Sequence, residues 1–194
     1  MKGYIQVYTG NGKGKTTAAI GLSIRALGAG LKVMFLQFMK SLAYSEQQIL
    51  AGFEPNLQLK TVGKPFFIAM EGMLTEEELA KWQDKVVVFP PGKPPEEYLA
   101  LIATGMSEAK QAVQSGEYDL VVLDEINCAL HFGLISWEAL HELITAKAPN
   151  TELVLTGRGA SQELIECADL VTEMKEVKHY YAIQGLEARL GIEN

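Results

Sequence analysis

Eight residues near the start of the chain, Gly10-Asn11-Gly12-Lys13-Gly14-Lys15-Thr16-Thr17, have the types and spacing to hold a polyphosphate. The phosphate-loop pattern is G-x-x-x-x-G-K-[ST]. Gly14, Lys15 and Thr16 satisfy its second half, whereas its first glycine would fall at Thr9, one residue before Gly10. The physics tolerates that offset. Glycines let successive backbone N–H groups curl toward an anion without Cβ clashes. A helix beginning near Lys15 adds its positive end. Lys15 supplies a mobile charge, and the Thr16 hydroxyl can ligate Mg²⁺, a hard cation that prefers oxygen. A glycine turn that closes a strand–helix unit and binds nothing would use the same residues.

Two further groups sit where a parallel sheet would present them to a ligand. Leu120-Val121-Val122-Leu123 is an apolar run that ends in Asp124-Glu125. Phosphate-loop proteins present an acid beside the metal in this way. Asp124 and Glu125 point to opposite faces if the strand continues, so only one can face the ion directly. An N-cap for the following helix would also place an acid here. Thr156-Gly157-Arg158-Gly159 again follows an apolar strand. Ligand crevices lie beyond the C-terminal ends of such strands, and a cation flanked by glycines can approach a phosphate there. An ordinary β–α loop with an exposed arginine is the alternative. Arg25, nine residues after Thr16, reads generically as a surface side chain. His131, His141 and His179 are not spaced as a metal site, and Phe66-Phe67 after Pro65 reads as a hydrophobic staple in a loop-like segment.

The elements that must position these groups are legible in outline. Tyr4–Tyr8 is a short strand, Thr9–Gly14 a turn, Lys15–Leu27 a helix ended by Gly28-Ala29-Gly30, and Lys32–Phe38 a strand buried on both faces. That order implies a crossover and a parallel sheet. Ser45–Ala51 and Pro95–Gln114 read as helices, the latter ending at Ser115-Gly116, and Leu57–Val62 as a strand. Thr75-Glu76-Glu77-Glu78 has the capping-box pattern. Phe89–Pro95 is a surface loop or the edge of a lid, because proline lacks the N–H a helix interior or a central strand needs. Ser136–Ala146 and Ser161–Cys167 follow as helices, Glu152–Leu155 and Leu170–Met174 as strands, and His179–Asn194 carries a weak signal. The expected fold is α/β, a mostly parallel β-sheet flanked by helices in a phosphate-loop, RecA-like architecture. One ATP-binding domain spans residues 1–194, with a loop-rich insertion around residues 62–95.

Composition sets the outer limits. The chain has 194 residues, 48% of them hydrophobic, enough to bury a core without staples. Its 17 basic and 24 acidic residues give a net charge of −7, a poor match for nucleic-acid binding. Cys128 and Cys167 form no C-x-x-C pair and read as buried thiols. Met1-Lys2-Gly3 runs straight into an apolar strand, without leader features or a membrane-spanning run, so a cytoplasmic protein without membrane contact is expected.

TGNGKGKTTAA, VVLDE, TGRG, VKH and the closing GLEARLGIEN, in that order, closely resemble the ATP:corrinoid adenosyltransferases of the phosphate-loop type. Thr9 in place of the first glycine belongs to that family's loop. The resemblance implies that a cobalt(I) corrinoid, such as cob(I)alamin or cob(I)yrinic acid a,c-diamide, attacks the 5′ carbon of ATP. The products would be an adenosyl–cobalt bond and triphosphate, in adenosylcobalamin biosynthesis or salvage. ATP would lie in a reversed sense along the loop. Carried onto this sequence, residues Gly10 to Thr17 with Arg25 and Arg158 hold ATP, and Thr16 and Glu125 hold Mg²⁺. Lys15, Thr16 and Glu125 become the catalytic set. An aromatic loop covers the lower corrinoid face in the family. Pro65-Phe66-Phe67-Ile68 stands here in place of its usual Phe-Thr-Trp, which makes Phe66 and Phe67 the candidates. A homodimer and an electron-donating flavoprotein are implied as partners. The residues alone also leave room for an ATP-binding switch or slow ATPase, or for a small-molecule kinase. No water-positioning residue stands out for the former; TGRG could mimic lid arginines for the latter.

Overall fold

The computed structural model describes residues 2–41, 44–64, 66–82, 85–186 and 188–193. Pro65 of the aromatic segment, and Glu187 and Asn194 of the closing motif, lie outside the described residues. The chain runs β1 (Ile5–Thr9), α1 (Lys15–Gly28), β2 (Val33–Phe38), α2 (Ser45–Ala51), β3 (Leu57–Val62), β4 (Phe67–Met70), α3 (Glu76–Trp82) and β5 (Val86–Phe89). It continues α4 (Glu96–Ser115), β6 (Leu120–Asp124), α5 (Ile126–His131), α6 (Trp137–Thr145), β7 (Glu152–Thr156), α7 (Gln162–Cys167), β8 (Leu170–Glu173) and α8 (Tyr180–Gln184).

Six strands form one parallel sheet in the order β3-β2-β6-β7-β1-β8. Side chains alternate across it as the strand period demands. Val33 and Phe35 of β2, Leu120 and Val122 of β6 and Val154 of β7 pack with Ala19 and Ala26 of α1 and Leu50 of α2. Met34, Leu36, Phe38, Val121, Leu123, Leu153 and Leu155 face the other way, onto α4, α5, α6 and α7. Both faces are therefore covered, which is why β2 and β6 are apolar at nearly every position. The sheet is parallel and flanked by helices, as expected from the sequence, and β1 and β6 are separated by β7.

The interval around residues 62–95 departs from the loop-rich expectation. Val86–Phe89 is a strand that pairs in parallel with Phe67–Met70, so Phe67 opens a strand and is not in a loop. Strands of four residues with a helix between them that buries no residue carry little period, and only their pairing defines them. The Thr75 capping box forms as predicted: the Glu78 N–H donates to the Thr75 hydroxyl, and the Glu78 carboxylate accepts from the Thr75 N–H. Pro95 is the N-cap of α4 and not its first residue, and Gly116 ends that helix in the left-handed region. α5 and α8 are additions to the predicted elements.

Candidate active site

Parallel strands deliver their C-terminal ends to one edge, so the loops after β1, β2, β6 and β7 converge there. They surround a cleft of about 620 Å³ lined by residues 11 to 17, Lys40, Tyr44, Glu125 and Arg158, with Ile20 and Ile49 on one side and His179, Gly191, Ile192 and Glu193 on another.

The glycines of the loop have separate reasons. A Cβ on Gly10 would collide with the Met174 carbonyl, and one on Gly12 would lie 2.7 Å from the same oxygen. The Gly12 N–H donates to that carbonyl at 2.7 Å. These two positions let the loop press against the chain leaving β8. Gly14, at φ +120°, is needed for its backbone conformation and caps α1. The first turn of α1 carries no acidic residue, so nothing there opposes an anion. Lys15 is buried, and its ammonium donates to the Gly10 and Gly12 carbonyls at 2.8 Å each. Burial holds it below the ordinary lysine range; Arg158 adds to that shift and Glu125 opposes it.

Asp124 is the hub of the site. It is fully buried at the end of β6. Its Oδ1 accepts from the hydroxyls of Thr16 at 2.9 Å and Thr156 at 2.6 Å. Its Oδ2 accepts from Gln37 at 3.1 Å and Lys40 at 2.9 Å. Four donors occupy both carboxylate oxygens, so the charge is fully compensated. Glu125 leaves the strand direction by adopting φ +62°. Its N–H donates to Thr156 Oγ1, and its carboxylate accepts from the Cys128 thiol at 2.9 Å. The turn to the left-handed region separates two adjacent acids, one inward and one onto the cleft.

Burial and the Glu125 carboxylate push the Cys128 thiol up to about 12. Thiolate is the reactive form. Iodoacetamide at pH 8 should therefore modify Cys128 at least tenfold more slowly than free cysteine, even after allowing for the greater nucleophilicity of a high-pKa thiolate. Mass spectrometry of the modified peptide reads this rate.

The residues singled out in the sequence divide accordingly. Asn11, Gly12, Lys13, Gly14, Lys15, Thr16, Thr17, Glu125 and Arg158 meet in the cleft, with Gly10 directly behind it. Arg25 is exposed in the last turn of α1, about 15 Å along the helix from Lys15. Phe66 packs on Tyr98, with ring centroids 6.0 Å apart, and Phe67 is 54% exposed with its ring against Trp82; neither lines the cleft. Sequence reasoning missed Gln37 and Lys40, and it singled out Thr156 only as the start of the TGRG loop, not as a partner of Asp124. Gln37 interrupts an otherwise apolar buried strand, which is a signal in itself. The closing segment was also missed as a wall of the cleft. Lys13 Nζ donates to the Ile192 carbonyl at 2.8 Å and pairs with Glu193 at 3.2 Å, while Arg189 and Tyr180 hold the same carboxylate.

The whole chain, residues 1–194, matches the family described as ATP:corrinoid adenosyltransferase BtuR/CobO/CobP. A corrinoid adenosyltransferase of Pseudomonas aeruginosa is 33% identical over 99% of this chain and 84% of its own length. One from Escherichia coli K12 is 29% identical over 99% of this chain and 86% of its own. A KaiC-like protein from Pyrococcus horikoshii superposes on 89% of this chain and 73% of its own with a TM-score of 0.47 at 17% identity. Among the described residues no helix is long and apolar enough to cross a membrane. With a family match along its full length and curated relatives aligned over 99% of it, the chain belongs to the ATP:corrinoid adenosyltransferases, a transferase family that acts on ATP and corrinoids.

Proposed function

We propose that the protein transfers the 5′-deoxyadenosyl group of ATP to the cobalt(I) of a corrinoid and releases triphosphate, with residues 1–194 acting as one ATP-binding domain. The observation that carries this is the cleft itself: Lys13, Lys15, Lys40 and Arg158 gather around a glycine loop beside the apolar Ile20, Ile49 and Tyr44, in a chain of this family. That division suits a polyanionic tail and a nucleoside. Cobalt(I) supplies the electron pair of the new cobalt–carbon bond. The C5′–O5′ bond breaks and its pair leaves on the triphosphate, so no proton is abstracted and no general base is needed. The work left to the protein is orientation, stabilisation of the departing charge and exclusion of water. The family match favours this chemistry over the switch and kinase alternatives.

Hard oxygen donors suited to Mg²⁺ are present in the Thr16 hydroxyl and the Glu125 carboxylate. Those two side chains would hold the ion, which supplies charge neutralisation to the triphosphate when bound. Asp124 has both oxygens engaged by four protein donors, which supports Glu125 as the ligand and Asp124 as the residue that aims Thr16. Gly10 to Thr17 and Arg158 would take the phosphates. Arg25 is carried only by the family resemblance, as are a homodimer, a flavoprotein electron donor and a cytoplasmic location.

The test is to mix the protein with ATP, Mg²⁺ and chemically reduced corrinoid. A light-sensitive adenosylated product formed with stoichiometric triphosphate is expected; orthophosphate without a cobalt–carbon bond refutes the proposal. Phe66 and Phe67 are proposed to cover the lower corrinoid face. On its small sheet the exposed Phe67 pairs with Val86 and shares a face with the exposed Val88. Losing the burial of one such ring is worth about tenfold in affinity. Phe67→Ala should therefore raise the KM for corrinoid about tenfold and leave the KM for ATP unchanged. An unchanged corrinoid KM would remove Phe67 from that face.

A further inference from the structure

The sequence offers no motif for Lys40, yet the fold spends several devices on placing it. Lys40 follows β2, next to β6 in the sheet. The preceding residue, Met39, is held at φ +59°, a region non-glycine residues rarely enter, and its N–H donates to the Val62 carbonyl at 2.6 Å. Gly63 closes the other side, where a Cβ would collide with the Lys40 backbone. The side chain is 12% exposed, and its ammonium lies 5.0 Å from the centre of the Tyr44 ring. At its tip, Nζ is 2.9 Å from Asp124 Oδ2 and 3.3 Å from Thr16 Oγ1. A built-in cation thus bridges the hydroxyl and the carboxylate at the start of the phosphate-loop helix, and it lines the cleft.

Asp124 does not depend on Lys40 alone. Gln37, Thr16 and Thr156 remain on it, so releasing the ammonium leaves the carboxylate with three donors. Lysine is suited to such an exchange, being a compact charge on a flexible stem with three donors. The group that must be stabilised in the cleft is the triphosphate, which gains a full negative charge as the C5′–O5′ bond breaks. We propose that Lys40 is a catalytic residue that exchanges its hold on Asp124 for an oxygen of the leaving triphosphate, acting opposite Lys15. This rests on the transferase reading for the identity of the leaving group.

The experiment is calorimetric titration of inorganic triphosphate in the absence of Mg²⁺, so that protein cations alone set the affinity. Lys40→Met should bind at least tenfold more weakly than the unaltered protein. It leaves a buried carboxylate one donor short, so a second pair is compared on a neutralised background. Asp124→Asn with Lys40→Met should bind at least tenfold more weakly than Asp124→Asn alone. Circular dichroism establishes folding in each case. Equal triphosphate affinity in either folded pair overturns the proposal. No corrinoid enters the titration, so its outcome stands apart from success or failure of the adenosyl-transfer assay.

Discussion

Lys15→Ala is expected to cut turnover with ATP by about 10² to 10³ while leaving the protein folded. The magnitude follows from losing one preorganised charge aimed at developing negative charge in a site shielded from water. Steady-state rates of adenosyl transfer read the first part, and thermal unfolding the second. The stability side has a definite sign. Burial lowers the Lys15 pKa in the folded protein, so the folded state disfavours the ammonium relative to the unfolded chain. That cost is present in full below the folded pKa and fades as pH rises toward the unfolded value. Removing the ammonium at neutral pH therefore removes a disfavoured charge. What is lost is two hydrogen bonds to the Gly10 and Gly12 carbonyls, each worth at most about 1.5–3 kcal/mol net for a charged donor, with water able to take the donor's place. Lys15→Arg should restore little activity, because a planar fork does not reproduce a point charge seated between two carbonyls. A Lys15→Ala protein with near-normal turnover would show that the loop does not grip the triphosphate.

Asp124→Asn and Glu125→Gln should fail in different ways. Glu125→Gln exchanges a charged oxygen donor for a neutral one on the wall of the cleft. Turnover should fall about 10²-fold, with the Mg²⁺ concentration for half-maximal rate raised about tenfold and the unfolding temperature nearly unchanged. Asp124→Asn places an NH₂ among four donors and leaves Lys40 without its carboxylate. Breaking a buried pair by removing one partner costs about 3–5 kcal/mol. The unfolding temperature should drop by several degrees, and activity should fall because Thr16 loses its aim, with the Mg²⁺ midpoint raised less than in Glu125→Gln. Mg²⁺ titrations of the rate, run beside melting curves, separate the two. Loss of Mg²⁺ dependence in Asp124→Asn alone, with Glu125→Gln unchanged, would make Asp124 the ligand and Glu125 its neighbour.

The sheet was readable from the chain because its signals are local. KVMFLQF, LVVL and ELVL are short, mostly apolar runs, and each became a central strand. Ser136 and Ser161 announced their helices and cap them, each accepting an N–H three residues on. The two strands at residues 67–70 and 86–89 were not readable, since four residues without a regular alternation of burial define a strand only once a distant partner is beside them. The closing segment gave a weak pattern for a related reason. Its ordering comes from Lys13 and from the Arg189–Glu193–Tyr180 cluster, not from a buried face.

By itself the amino-acid order determined the chemistry on offer. A glycine turn between an apolar strand and a helix, with lysine and threonine at the junction, presents N–H groups, a cation and a hydroxyl together whatever the rest of the chain does. Only the tertiary structure decided which distant groups join them. Thr16 meets Asp124 across 108 positions, Lys40 meets it across 84, and Lys13 reaches Glu193 across 180. Those meetings follow from the order in which parallel strands lie side by side, which sets whose C-terminal ends become neighbours. Strand order is a property of the packed sheet, since it depends on which faces α1 and α4 can cover at once, and no local pattern of residue types records it.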